Sequence, residues 1–162
     1  MGKSTCKAED DRSRIPGPQK DEIPQVSFDD GKVTAQVISG KLDSTKGGFE
    51  TLTEIHLSTL YFKSGGVFQA SVPTSHNILC YVIKGEVKIN GEIISALHLV
   101  EFNNDAEDLR IEALADSIVL FGHAEPFNEP VVARGPFVMN SMEEINQAYE
   151  DYEQGKMGDP DH

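Results

Sequence analysis

From Ile23 onward the apolar residues fall into short runs of period two, separated by clusters of Gly, Asn, Asp and Pro. Side chains alternate across a strand, so this is the pattern of half-buried β-strands. Val33, Ala35 and Val37 alternate with Lys32, Thr34 and Gln36 and predict a strand with one wet face. Over residues 52–62 the division is less clean. Ile55, Leu57, Thr59 and Tyr61 face one way, and His56, Ser58, Leu60 and Phe62 the other, as in a strand partly covered on both sides. Phe68, Ala70 and Val72 continue the alternation as far as Pro73, and residues 78–83 form a nearly unbroken apolar run that predicts a central, buried strand. Val87 and Ile89 lead into Asn90-Gly91, a dipeptide suited to a two-residue turn at positive φ, and Ile93-Ile94 leave it, which predicts a β-hairpin. Residues 97–102, 109–114 and 117–121 supply three more strands.

One helix is predicted, at the end of the chain. Ser141 and Glu144 form a capping box, Met142, Ile145, Tyr149 and Tyr152 recur at helical spacing, and Gly155 is placed to end it. Tyr149 and Tyr152 are expected to pack the helix against the strands. Many strands without intervening helices exclude a parallel α/β fold and favour an all-β sandwich or jelly-roll barrel. The expected plan is a flexible charged leader over 1–20, a barrel over 21–140 and a helix over 141–157 packed on it.

Composition narrows the function. Fourteen Lys and Arg against twenty-seven Asp and Glu give a net charge of -13. That field repels phosphate backbones and anionic headgroups, so neither direct nucleic-acid binding nor membrane binding is expected. Cys6 and Cys80 lack the spacing of a disulfide framework or a zinc site. No apolar run reaches membrane-spanning length and the first residues lack the apolar core of a secretory signal, so an intracellular protein, cytoplasmic or nuclear, is expected.

No nucleophile motif, phosphate-binding glycine loop or paired-carboxylate signature occurs, and no catalytic residue is assigned. His76 and Tyr81 are the binding candidates, at the mouth of the barrel. His56, His123 and His162 have no evident partner in the sequence.

The segment GHAEPFNEPVVARGPFVMNSMEEINQAYEDYEQGKMG, residues 122–158, resembles the closing segment of pirins, where an EPV step, a GPFVMN turn and a helix follow the last barrel strand. IPQV at 23–26, VTAQVISG at 33–40, TLTEIH at 51–56 and SHNILCYVIKGEV at 75–87 are similar, in order, to earlier stretches of the same C-terminal half. The resemblance implies a single cupin-type jelly-roll β-barrel with a C-terminal helix, all-β in class. Pirins are bicupins, and the half that carries their metal lies outside the resemblance. Gly66 and Gly85 fit the glycine ends of the first cupin motif, but Val72, Thr74 and Ile78 fall at its ligand positions. None is a substitute for imidazole or carboxylate, so neither a metal nor another cofactor is expected. The expected role is a non-catalytic module that binds another protein, either a separately encoded metal-bearing cupin half or a second copy of itself. The resemblance also implies two alternatives, a metal-dependent dioxygenase of quercetinase type and a nuclear transcription cofactor. A shortened form of a two-barrel pirin is a further reading of the same match.

Overall fold

The computed structural model describes residues 18–158, so the expected leader lies almost wholly outside the described residues, as does His162. The strands in chain order are β1 (Gln25–Phe28), β2 (Val33–Ser39), β3 (Lys41–Leu42), β4 (Thr45–Lys46), β5 (Ile55–Phe62), β6 (Val67–Ser71) and β7 (Asn77–Lys84). They continue as β8 (Glu86–Ile89), β9 (Glu92–Ser95), β10 (His98–Val100), β11 (Asp108–Ala113), β12 (Ser117–Ala124), β13 (Val132–Arg134) and β14 (Phe137–Met139), and helix α1 (Met142–Glu153) follows.

Residues up to Pro126 form one unit and those from Phe127 a second. In the first, a six-stranded sheet runs β1-β2-β5-β12-β7-β10 and a four-stranded sheet runs β6-β11-β8-β9. Every ladder in these two sheets is antiparallel. One core joins them: Val33 and Ala35 of β2, Leu60 and Phe62 of β5, Cys80 and Val82 of β7 and Val119 and Phe121 of β12 meet Phe68, Val87, Ile89, Leu109, Ile111 and Ala113 of the smaller sheet. The period-two pattern explains this directly, because in each strand the core residues share one phase of the alternation. Burial raises the Cys80 thiol to about 12, so this cysteine behaves as a small apolar core residue.

The expected hairpin joins β8 to β9, with Asn90 at φ 46° and Gly91 at φ 100°. Two consecutive positive φ values match the right-handed twist of the strands they connect. In the second unit β13 and β14 form a hairpin beside α1. Both halves of the capping box are present: the Glu144 N–H donates to Ser141 Oγ at 3.2 Å, and the Ser141 N–H donates to Glu144 Oε2 at 2.9 Å. Tyr149 packs edge to face on Phe137 of the hairpin at 4.9 Å and its hydroxyl donates to the Arg134 carbonyl.

Two sequence expectations need correction. The strand read over 52–62 starts only at Ile55, and Leu52 lies fully exposed in the loop before it. Strand β7 is not buried on both faces. Cys80 and Val82 are completely buried, whereas Leu79 and Ile83 are 41% and 40% exposed. The smaller sheet covers only the inner face, and apolar content alone does not reveal which faces are covered.

Candidate functional site at the barrel mouth

The chemistry of the first unit gathers where β5, β7 and β12 meet. His56 near the start of β5 and His123 near the end of β12 are direct cross-strand partners. Each is in phase with the core residues of its strand, His56 with Leu60 and Phe62, His123 with Val119 and Phe121, so both rings point inward. They stack at 4.4 Å with their planes 8° apart. His76, in the turn just before β7, brings its Nδ1 to 2.9 Å from Nδ1 of His123. One of these two nitrogens carries the hydrogen and the other accepts it. The Nδ1 of His56 lies 3.1 Å from the Lys41 N–H and 3.0 Å from the Lys41 carbonyl, and its Nε2 is 3.3 Å from a Glu54 carboxylate oxygen.

Burial lowers the His123 imidazole to about 4, and the neighbouring His56 and His76 push in the same direction against a smaller opposing pull from Glu54. At neutral pH His123 is therefore an uncharged ring that can donate one hydrogen bond and accept another. A cavity of about 400 Å³ opens beside the pair, with Phe28, Phe68 and Phe121 among its apolar walls and Gln69 and Ser71 among its polar ones. Behind the same strands lies a smaller hollow of about 280 Å³ lined by Leu57, Leu79, Gly122 and Ala124. Gly122 is required by close approach, since a Cβ there would sit 2.8 Å from the His56 carbonyl oxygen and 2.9 Å from Leu57 Cδ1.

The two candidates from the sequence do not share a site. His76 stands at the mouth, within the imidazole cluster. Tyr81 lies on the opposite face of β7 from Cys80 and Val82, paired with Leu120 of β12 and Leu99 of β10. The correction follows from strand alternation: an odd-numbered residue in this stretch of β7 points away from the core. His56 and His123, without partners in the sequence, are partners in the fold. The signal available was their phase, His123 two residues beyond the core residue Phe121 and His56 four residues before the core residue Leu60.

The family model for the pirin C-terminal cupin domain matches residues 58–158. The chain belongs to the pirin family. A pirin-like protein from Caulobacter vibrioides is 34% identical over 142 residues, covering 85% of this chain and 50% of that protein. Pirin-1 from Arabidopsis thaliana is 33% identical over 143 residues, covering 85% of this chain and 49% of its own length. Among solved structures, quercetin 2,3-dioxygenase from Acinetobacter baumannii superposes with a TM-score of 0.80 at 27% identity, covering 86% of this chain and 49% of that one. The chain thus spans about half the length of the curated relatives it matches.

Membership in a cupin family raises the question of a metal. Such a centre wants imidazole and carboxylate donors converging on one point. At the motif positions of this pirin-type barrel Val72 is buried, Thr74 is exposed in a turn, and Ile78 is apolar. The three histidines do not make up for this. The faces of His56 and His123 lie parallel, and the nitrogens of His56 already meet the Lys41 backbone and Glu54. No group of three His, Cys, Asp or Glu side chains among the described residues is arranged to hold an ion. The residues present do not fit the cupin metal.

Proposed function

We propose that this pirin-type barrel is a non-catalytic, protein-binding module that docks the outer face of its six-stranded sheet on a second cupin barrel. The observation that carries the reading is the continuous apolar band on that face. Leu79, Tyr81 and Ile83 of β7 stand beside Leu99 of β10, and beyond β12 with its Leu120 lie Leu57 and Tyr61 of β5. Leu99 is 63% exposed, and Leu79 and Ile83 are about two-fifths exposed. Contiguous exposed apolar surface of this kind is typical of an interaction site. The relatives supply the kind of occupant, because they carry about as much chain again as this one. A dioxygenase reading draws on the names of several relatives, the Acinetobacter structure and two Pseudomonas aeruginosa proteins among them, and Val72, Thr74 and Ile78 speak against it.

Sedimentation equilibrium of the chain alone, and mixed with the N-terminal half of a pirin, tests the proposal. A dimer or a stoichiometric complex is expected, and the double variant Leu79→Lys, Leu99→Lys should weaken it more than tenfold. A monomer in both experiments would defeat the reading. So would stoichiometric iron, manganese, nickel or copper in the purified protein together with flavonol turnover lost on substitution of His76.

A further inference from the structure

Strand β6 is an end strand of the smaller sheet, paired only with β11. In an antiparallel ladder alternate residues turn their N–H and C=O groups to the partner, and the residues between turn theirs away. The Val72 N–H donates to the Glu107 carbonyl at 2.8 Å and the Ala113 N–H to the Gly66 carbonyl at 2.9 Å, which fixes the phase. Phe68 and Ala70 therefore bond to β11, and the backbone groups of Val67, Gln69 and Ser71 face the free edge. The Val67 N–H is capped there by the Asp29 carboxylate at 2.9 Å, whereas the edge groups of Gln69 and Ser71 meet no partner among the described residues.

This stretch of edge borders open space. The cavity of about 400 Å³ runs along Gln69, Ala70 and Ser71, with Lys41, Leu42 and Asp43 on its other side. At one end the Asp29 cap and the contact of Phe28 with Phe68 close the gap, and beyond Ser71 Pro73 breaks the run. An open sheet edge is a template for another extended chain, and strand addition to such an edge is a general mode of peptide recognition. Charge decides the kind of peptide. Asp29 stands at one end of the window, Asp43 across the cleft and Asp108 opposite Ser71, against Lys41, while Arg110, opposite Gln69, is paired with Glu112 at 3.4 Å. The excess of carboxylates has the same sign as the net charge of -13, so a cationic segment is drawn to this edge and an anionic one is repelled.

We propose that β6 accepts an extended, basic segment of a partner protein as an added strand, its backbone bonding the free N–H and C=O groups of Gln69 and Ser71. Alternate side chains of the added strand then point into the cleft, toward the half-buried Leu42 and Ala70, and outward on the side of the exposed Gln69 and Ser71. Apolar residues suit the first set and lysine or arginine the second. The site lies on the smaller sheet, separate from the outer face of the six-stranded sheet, and does not rest on the docking of a second barrel there.

NMR titration of the full chain with an end-blocked peptide of about six alternating arginine and valine residues tests this. The amide protons of Gln69 and Ser71 should move downfield as they gain a hydrogen bond, and those of Phe68 and Ala70, already paired with β11, much less. With the peptide at about ten times its dissociation constant, exchange of the Gln69 and Ser71 amides with solvent should slow about tenfold. Replacing arginine by glutamate, or N-methylating the peptide amides that face β6, should weaken binding about tenfold or more. Ser71→Pro, which removes an edge N–H and no ladder bond, should do the same, and Leu99→Ser should change nothing. Absence of binding, equal binding of the glutamate or the N-methylated peptide, or unmoved Gln69 and Ser71 amides would each overturn the proposal. So would slow exchange of both amides before any peptide is added, since the edge would then already be covered by residues 1–17 or by a second copy of the chain.

Discussion

The two faces of the six-stranded sheet are built from the same strands and differ in almost every physical respect. On β12 the inward phase is Ser117, Val119, Phe121 and His123, and the outward phase is Ile118, Leu120, Gly122 and Ala124. The inward set is held by the opposing sheet. Val119 and Phe121 are almost fully buried, and Ser117 is tied by its hydroxyl to the Glu86 N–H and to the carbonyls of Glu86 and Ala115. The outward set is just as apolar, yet it belongs to a face on which Leu79, Ile83 and Leu99 remain open. Hydrophobicity of a strand states a demand for cover and leaves open where the cover comes from. On the inner face this chain supplies it, and on the outer face Leu79, Ile83 and Leu99 are left in water.

The largest expected effect lies inside. Phe68, 1% exposed and in ring contact with Phe28 and Phe121, should on Phe68→Ala destabilise the protein by about 3–5 kcal/mol in chemical denaturation. A loss below about 1 kcal/mol would mean the inner face is not closely packed and would break the contrast.

Next comes the polar end of the same face. The folded state holds His123 at about 4, below the usual 6.5, so between these values the unfolded chain binds the extra proton. This contribution to stability is fully present above about pH 6.5 and is lost as pH falls toward 4. With the ring only half-buried, the loss should stay below about 2 kcal/mol. Denaturation curves across this window should slope less for His123→Gln than for the unaltered chain. Identical slopes would remove His123 from the inner face as an energetic group.

The smallest effect belongs outside. Leu99→Ser should change the stability of the dilute monomer by no more than about 0.5 kcal/mol, because the side chain is already largely in water. A loss of about 2 kcal/mol or more would show that the outer face is covered within the chain itself.

Much of this was legible beforehand. Strand phases, the Asn90-Gly91 hairpin and the Ser141–Glu144 cap are local matters, fixed by side-chain alternation, by the steric freedom of Asn and Gly at positive φ, and by unpaired N–H groups at a helix start. The segment over 122–158 likewise carried the family and its fold. Two things were beyond reach. Residues 78–83 read as buried on both sides because a sequence records apolar content and not the number of layers stacked on it. His56, His76 and His123 read as separate because strand pairing, which sets β5 and β7 on either side of β12, is a long-range choice of the tertiary structure. Only that choice turned three scattered imidazoles into one cluster, by placing two inward phases in register and a turn at their end.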